Sequence, residues 1–348
     1  MNAPNPVWLA LLAAATFGAS MPFVKLLAGE LPPLVLAGLL YAGCGLGLTA
    51  IRIVRDRGWK PSGLSKGEWR WFGGAILFGG VLGPVLLVIG LTRIEASIAS
   101  LLLNFEAVFT ALLAWVIFKE NADRRIVLGM LLIVAGGAVL AWPAHGNEAR
   151  DWIGPLAITA ACLCWGIDNN LTRRVSASDA IFIAGTKGLA AGIVNTTLAL
   201  SLGAALPAWA SAGAAMAVGF IGYGLSLVLF VMALRGLGSA RTGAYFSTAP
   251  FVGAAIAILL LGESAPMSIW LAACLMALGV WLHLTERHAH EHTHEPMEHA
   301  HSHVHDSHHQ HEHDFEWDGR EPHSHSHRHA FITHKHPHYP DIHHRHGH

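Results

Sequence analysis

Leu234–Glu263 reads LRGLGSARTGAYFSTAPFVGAAIAILLLGE, and 143 positions earlier Leu91–Glu120 reads LTRIEASIASLLLNFEAVFTALLAWVIFKE. The constant offset pairs Ala96 with Ser239, Asn104 with Ser247, Ala111 with Ala254 and Glu120 with Glu263. Further upstream an offset of 148 lays Phe17-Gly18 and Lys25 on Trp165-Gly166 and Arg173. The chain therefore contains one design twice, and each copy is dominated by apolar runs.

Those runs decide the fold class. The 348 residues are 53% hydrophobic and 13% charged, whereas soluble domains carry roughly 25% charged residues. Runs near the ~20 residues that cross a ~30 Å hydrocarbon core as helix recur through the first 286 positions. Ten are expected: 7–27, 34–54, 71–91, 97–118, 126–142, 153–172, 180–200, 214–234, 243–261 and 268–284. The prediction is an all-α integral membrane protein with a first repeat over 1–145, a second over 146–287, and a tail over 288–348. Five spans per copy is an odd number, so the second copy enters the bilayer inverted, an arrangement that builds secondary transporters with a substrate site near the midplane. The first run lacks a preceding basic residue and exceeds the length of a signal-peptide core, so it is expected to remain in the mature protein. Cys44, Cys162, Cys164 and Cys274 all fall within the runs and read as packing residues.

Lys and Arg in the connections set the orientation. Thirteen, including Arg52, Arg55, Arg57, Lys60, Lys66 and Arg70, fall on one side, against Lys25, Arg93 and Arg150 on the other. Both termini are therefore expected in the cytoplasm, with the chain in a bacterial inner membrane.

The stretch Ala233–Glu263, with Pro250 thirteen residues before Glu263 and Gly262 beside it, resembles the signature of EamA-type permeases of the drug/metabolite transporter superfamily. The resemblance extends over residues 7–286. It implies ten helices, cytoplasmic termini and export of small metabolites. The first copy departs from the pattern: Ala107 stands at the proline position, Lys119 replaces the glycine, and Glu106 is added.

Glu106 lies in the middle of the fourth run, where an acidic side chain costs about 2.5–3.5 kcal/mol on insertion scales and faces a cavity or a partner. It reads either as a protonatable or cation-binding carboxylate or as half of a packing ion pair with Lys187 or Lys25. Asp168, with Asn169 and Asn170, forms a second polar cluster. Trp165, Asp168 and Thr172 share one helical face at i, i+3 and i+7, so they are expected to line a wall, or else to sit at a helix end beside Arg173 and Arg174. Tyr245 and Thr248 are candidates for the opposite wall. Asn104 and Lys187 complete the set, although Asn104 and Glu106 lie about 200° apart on a helix. Glu120 and Glu263 end their runs and read as structural. Glycines such as Gly79 and Gly83 read as close-packing positions.

The tail is different in kind. Of the 25 histidines, 23 lie between His288 and His348. The tail lacks apolar periodicity and contains Pro296, Pro322, Pro337 and Pro340, so disorder is expected. His299, His301, His303, His305, His311, His313, His323, His325, His327 and His329 follow His-X-His spacing. Neutral imidazole suits Zn, Ni, Co or Cu, and such a ligand set does not choose among them. The tail also looks like one carried by a bacterial subgroup of these permeases.

Three functions fit these residues: an exporter of a small organic metabolite or drug with a metal-responsive tail, a transition-metal exporter fed by the tail, and a non-transporting metal sensor or store. The scarcity of ligands in the membrane body favours the first. No nucleophile–base arrangement or cofactor loop points to an enzyme, and no cofactor is required. The expected partners are the bilayer, a small-molecule substrate and divalent metal ions, with no nucleic acid; a homodimer is compatible with the sequence.

Overall fold

The computed structural model describes residues 5–62, 64–118, 124–141, 152–175, 178–237, 242 and 245–285, and in the tail 289–294, 298–303, 323–328 and 332–337. The body is helical: α1 (Pro6–Ala28), α2 (Pro33–Asp56), α3 (Glu68–Leu91), α4 (Ala96–Leu102), α5 (Phe105–Phe118), α6 (Arg124–Ala141), α7 (Ile153–Arg173), α8 (Ala180–Ser201), α9 (209–237), α10 (Ala249–Leu261) and α11 (Met267–Leu284). Among the described residues six helical stretches are long and apolar enough to cross a membrane by length and composition. Their outer faces carry large apolar side chains: Trp209 is 94% exposed, Leu259 84% and Val54 78%. A soluble protein would not leave such a surface to water, and a bilayer covers it.

Helix starts and stops follow from local chemistry. The Asn5 side chain accepts from the Val7 amide at the start of α1, and Asp179 does the same for Ile181 at the start of α8. Pro33 opens α2 and Pro250 opens α10, at first-turn positions where a missing N–H costs nothing. Gly262 ends α10 with φ of 65°, a left-handed cap that disfavours any residue with a Cβ.

Two departures from regular helix recur at repeat-related positions. The fourth run is not one helix: turn residues Leu103 and Asn104 separate α4 from α5, and Ser247 and Thr248 likewise precede α10. In α3 the segment Ile76–Leu82 is π-helical, and in α9 so is Gly219–Leu225, again 143 positions on. Neither break nor π turn follows from hydropathy.

Helix neighbours obey the same exchange. α1 packs on α9 and α10, while its counterpart α7 packs on α3 and α5; α2 packs on its own counterpart α8, and α6 on α11. At the α2–α8 crossing a methyl group at Gly188 would stand 2.6 Å from the Gly45 amide nitrogen, and at α6–α11 one at Gly279 would stand 2.6 Å from the Gly129 carbonyl oxygen. Small residues permit this approach in a solvent where hydrophobic burial cannot drive association. Met21, Leu36, Leu40, Leu87 and Ile158 fill the main core between them.

The described residues of the tail are extended. Four six-residue strands pair antiparallel: β1 (Ala289–His294) with β4 (Ile332–Pro337), and β2 (Glu298–His303) with β3 (His323–Arg328). His-X-His alternates with period two, which is the period of a strand. The register sets His299 opposite His327, His301 opposite His325 and His303 opposite His323. His305, His311, His313 and His329 lie outside the described residues, as do Lys119 and Glu120.

Candidate functional site

Asp168 and Lys187 meet where α7 and α8 pack against the π turn of α3, and Glu106 approaches α7 from α5. Lys187 Nζ, on α8, lies 2.7 Å from each carboxylate oxygen of Asp168 on α7, with both side chains at most 15% exposed. Thr172 Oγ1, one turn on, donates to Asp168 Oδ1 at 2.8 Å. Asp168 occupies the space that a side chain at Gly79 would need. Glycine on α3 is thus what admits the carboxylate between the helices.

The π turn also exposes carbonyls that a regular helix would bury in its own ladder. The Gly79 oxygen accepts from Tyr41 OH on α2 at 2.7 Å and from Trp165 Nε1 on α7 at 3.2 Å, and the Gly80 oxygen accepts from Asn195 Nδ2 on α8 at 3.3 Å. Three helices are fastened to one segment of α3.

Glu106 stands in the first turn of α5, directly after the break. Its Oε1 accepts from Asn169 Nδ2 at 2.8 Å, and the same amide group reaches Thr110 Oγ1 at 3.2 Å. The ion pair weighed for Glu106 is not formed: Lys187 is committed to Asp168, and Lys25 donates to the Leu91 carbonyl and to that of Ile94 at 2.7 Å. Among the described residues Glu106 makes no salt bridge. It is held by a neutral amide and is partly exposed.

Three further candidates lie at or beside the helix breaks. Asn104 sits in the break, where its side chain folds back onto the Leu101 carbonyl at 2.8 Å and meets Met276 Sδ at 3.8 Å. Tyr245 and Thr248 bracket the second break, with Thr248 exposed and its hydroxyl on the Tyr245 carbonyl. The second break interrupts the regular helical face on which Tyr245 and Thr248 are expected together. The residue of the second break that enters the molecule is Phe246, 5.7 Å from the Phe17 ring and 5.0 Å from that of Phe230.

Around it is an aromatic enclosure that the sequence did not flag. Tyr223, in the π turn of α9, has its ring 5.7 Å from Phe17 and 5.7 Å from Tyr41. Phe17 and Tyr41 come from one copy, Tyr223 and Phe246 from the other. The alignment of Phe17 with Trp165 was the signal available, because it put two aromatics at matching depth.

Comparing the copies shows that the charged groups stand at one of two repeat-related junctions, Glu106 from the first copy and Asp168 and Lys187 from the second. Under the same offsets the counterparts of Asp168, Lys187 and Glu106 are Ser20, Cys44 and Ala249. The structure keeps the equivalence: Gly79 abuts Asp168, and its counterpart Gly222 abuts Ser20.

At the far end of α10, Glu263 accepts from the Ala96 and Ser97 amides at 2.7 and 2.8 Å and so caps α4. The left-handed Gly262 turns the chain back far enough to allow it. On the opposite flank Asp179 binds Arg52 Nε at 3.2 Å and also Arg55. Burial pushes its carboxyl up, but the arginine hydrogen bonds prevail and hold it below the usual carboxylate range. Among the described residues no three His, Cys, Asp or Glu gather to hold a metal ion.

Known proteins resemble this chain. An uncharacterized transporter of Methanothermobacter thermautotrophicus is 26% identical over 288 residues, 78% of this chain and 84% of that protein. A probable 4-amino-4-deoxy-L-arabinose-phosphoundecaprenol flippase subunit ArnE of Pseudomonas paraeruginosa is 37% identical over 112 residues, 31% of this chain and 93% of that one. A solved crystal structure superposes with a TM-score of 0.58 at 17% identity over 80% of this chain and 96% of the other, a likeness of fold. The EamA-like transporter family matches twice, over residues 5–142 and 152–285, and the chain belongs to that family of multi-pass membrane transporters.

Proposed function

We propose that the protein is a proton-coupled secondary transporter that exports a small organic metabolite or drug across a bacterial inner membrane. It would act through ten spans in two inverted halves, with both termini in the cytoplasm. The observation that carries this reading is Glu106, a carboxylate inside the membrane body that rests on Asn169 instead of a cation. A carboxylate so placed is stabilised by a proton or by a positive group on a solute, and competition between the two couples their movements in opposite directions. The Asp168–Lys187 pair is already neutral overall and holds α7 to α8 beside it. The flippase named among the relatives handles an amino sugar on a lipid carrier, which supports a cargo larger than an ion.

The tail, on this reading, is a cytoplasmic appendage that binds Zn, Ni, Co or Cu through its His-X-His runs and reports metal to the body. It would not feed metal through the body, whose described residues provide no three-ligand cluster.

The test uses full-length and tail-deleted protein in liposomes under a proton gradient, recording charge movement on addition of a panel of amines, amino acids and neutral metabolites, and separately Ni, Co and Zn flux. Solute-dependent proton movement that disappears in Glu106→Gln is expected. Unchanged movement in that variant removes the coupling role of Glu106. Metal flux abolished by Glu106→Gln would replace the organic exporter with a metal exporter, and metal binding without any flux would leave a sensor or store.

A further inference from the structure

The one tyrosine hydroxyl of the enclosure that the fold does not use belongs to Tyr223. It is buried and without a hydrogen-bond partner among the described residues, whereas the hydroxyl of the adjacent Tyr41 is bound by the Gly79 carbonyl at 2.7 Å. Ser97 and Ser100 are also unpaired, but a serine hydroxyl on a helix can rotate onto its own backbone. A tyrosine hydroxyl is carried too far from its helix for that, so it needs a partner from elsewhere.

Its surroundings say what kind of partner. The Tyr223 ring is only partly buried, as are Phe17, Phe246 and Phe230, so the rings border accessible space while the hydroxyl is covered. Phe17 meets Tyr223 edge-on at an interplanar angle of 77°, and Tyr41 meets it at 53°. Aromatic faces and edges held at such angles receive a flat ring well. The enclosure joins the two copies, and the π turns present it from both sides: Gly222 and Gly224 flank Tyr223, and Gly79 holds Tyr41.

We propose that Tyr223 is the selecting group of a binding site for a flat, ring-containing solute bearing a hydrogen-bond acceptor, with Phe17, Tyr41 and Phe246 against the ring and the Tyr223 hydroxyl donating to the acceptor. Calling that solute the cargo rests on the transporter reading above; the binding site itself does not.

A matched pair of probes tests this: coumarin, which carries a ring carbonyl, and naphthalene, which has nearly the same shape and no acceptor. Equilibrium dialysis against the full-length protein in lipid nanodiscs, with empty nanodiscs subtracted, gives both dissociation constants. In Tyr223→Phe the coumarin constant should rise about tenfold, the effect of one neutral hydrogen bond, while naphthalene stays within about twofold and the melting temperature does not fall. Phe17→Leu should weaken both probes together. Equal changes for both probes in Tyr223→Phe, a lowered melting temperature with unchanged affinities, or no saturable binding to the wild type would each overturn the proposal. Selective loss of coumarin in a protein that moves no solute in liposomes would keep the site and remove the transport reading instead.

Discussion

Lys187 on α8 reaches both oxygens of Asp168 on α7 at 2.7 Å, and their counterparts in the other copy, Cys44 and Ser20, carry no charge. An interior pair of this kind is costly to break, because the surviving charge is left without compensation. Asp168→Asn or Lys187→Met alone should destabilise the protein by about 3–5 kcal/mol, and the double variant should recover most of that. Thermal unfolding of all four proteins in nanodiscs completes the cycle. Additive losses would mean that the two side chains stabilise the fold independently.

Gly79 should tolerate nothing larger. A methyl group there meets the Asp168 carboxylate, and overpacking of a filled interior costs about 1–3 kcal/mol. Gly73, on the same helix, has open space around it, so Gly73→Ala should be neutral or stabilising by about 0.5–1 kcal/mol. Equal melting temperatures for Gly79→Ala and Gly73→Ala would show that α3 can shift away from α7.

The Gly262–Glu263 pair should act as one device. Glu263→Ala removes the cap on Ala96 and Ser97, a loss of about 1 kcal/mol. Gly262→Ala forces a Cβ into φ of 65° at about 1–2 kcal/mol and moves the carboxylate off its amides. The double variant should therefore lose less than the two singles together. Hydrogen exchange at the first turn of α4 reads the cap directly, and unaltered protection in Glu263→Ala would refute it.

Acid should release Asp179. Its carboxyl is more acidic in the folded protein because Arg55 and Arg52 hold it there against the opposing effect of burial. The stabilisation is complete above the unfolded value of about 3.9 and is lost as pH falls through the lower folded value. Asp179→Asn should lower the melting temperature at neutral pH and flatten its decline below about pH 4. An acid limb of the same steepness in both proteins would place the linked proton elsewhere.

Much of this was legible in the sequence because a bilayer imposes a long, nearly uniform apolar signal. The runs at 7–27 and 34–54 became α1 and α2 within two residues at each end, and Glu106, Asp168, Lys187, Trp165 and Thr172 stood out as polar or aromatic groups in apolar surroundings. What pairs with what did not: Lys187 reads as a partner for Glu106, and only the packing of α7 and α8 on the π turn of α3 brings it to Asp168. The π turns and the two breaks carry no hydropathy signature, so the interruptions at Leu103–Asn104 and Ser247–Thr248 were not legible. Tyr41, Tyr223, Phe17 and Phe246 were passed over because an aromatic in an apolar run reads as core until its hydroxyl or its neighbours are known.

The presence of Asp168, Lys187 and Glu106 at one of the two repeat-related junctions and not at the other has an energetic meaning. Two identical inverted halves would make the states open to either side of the bilayer equal in energy, and the resting molecule would divide evenly between them. Charged groups present at one junction and missing from the other remove that equivalence, so the degeneracy is lifted. The sequence drift that left Ser20, Cys44 and Ala249 at the other junction thereby gives a duplicated scaffold two unequal resting states.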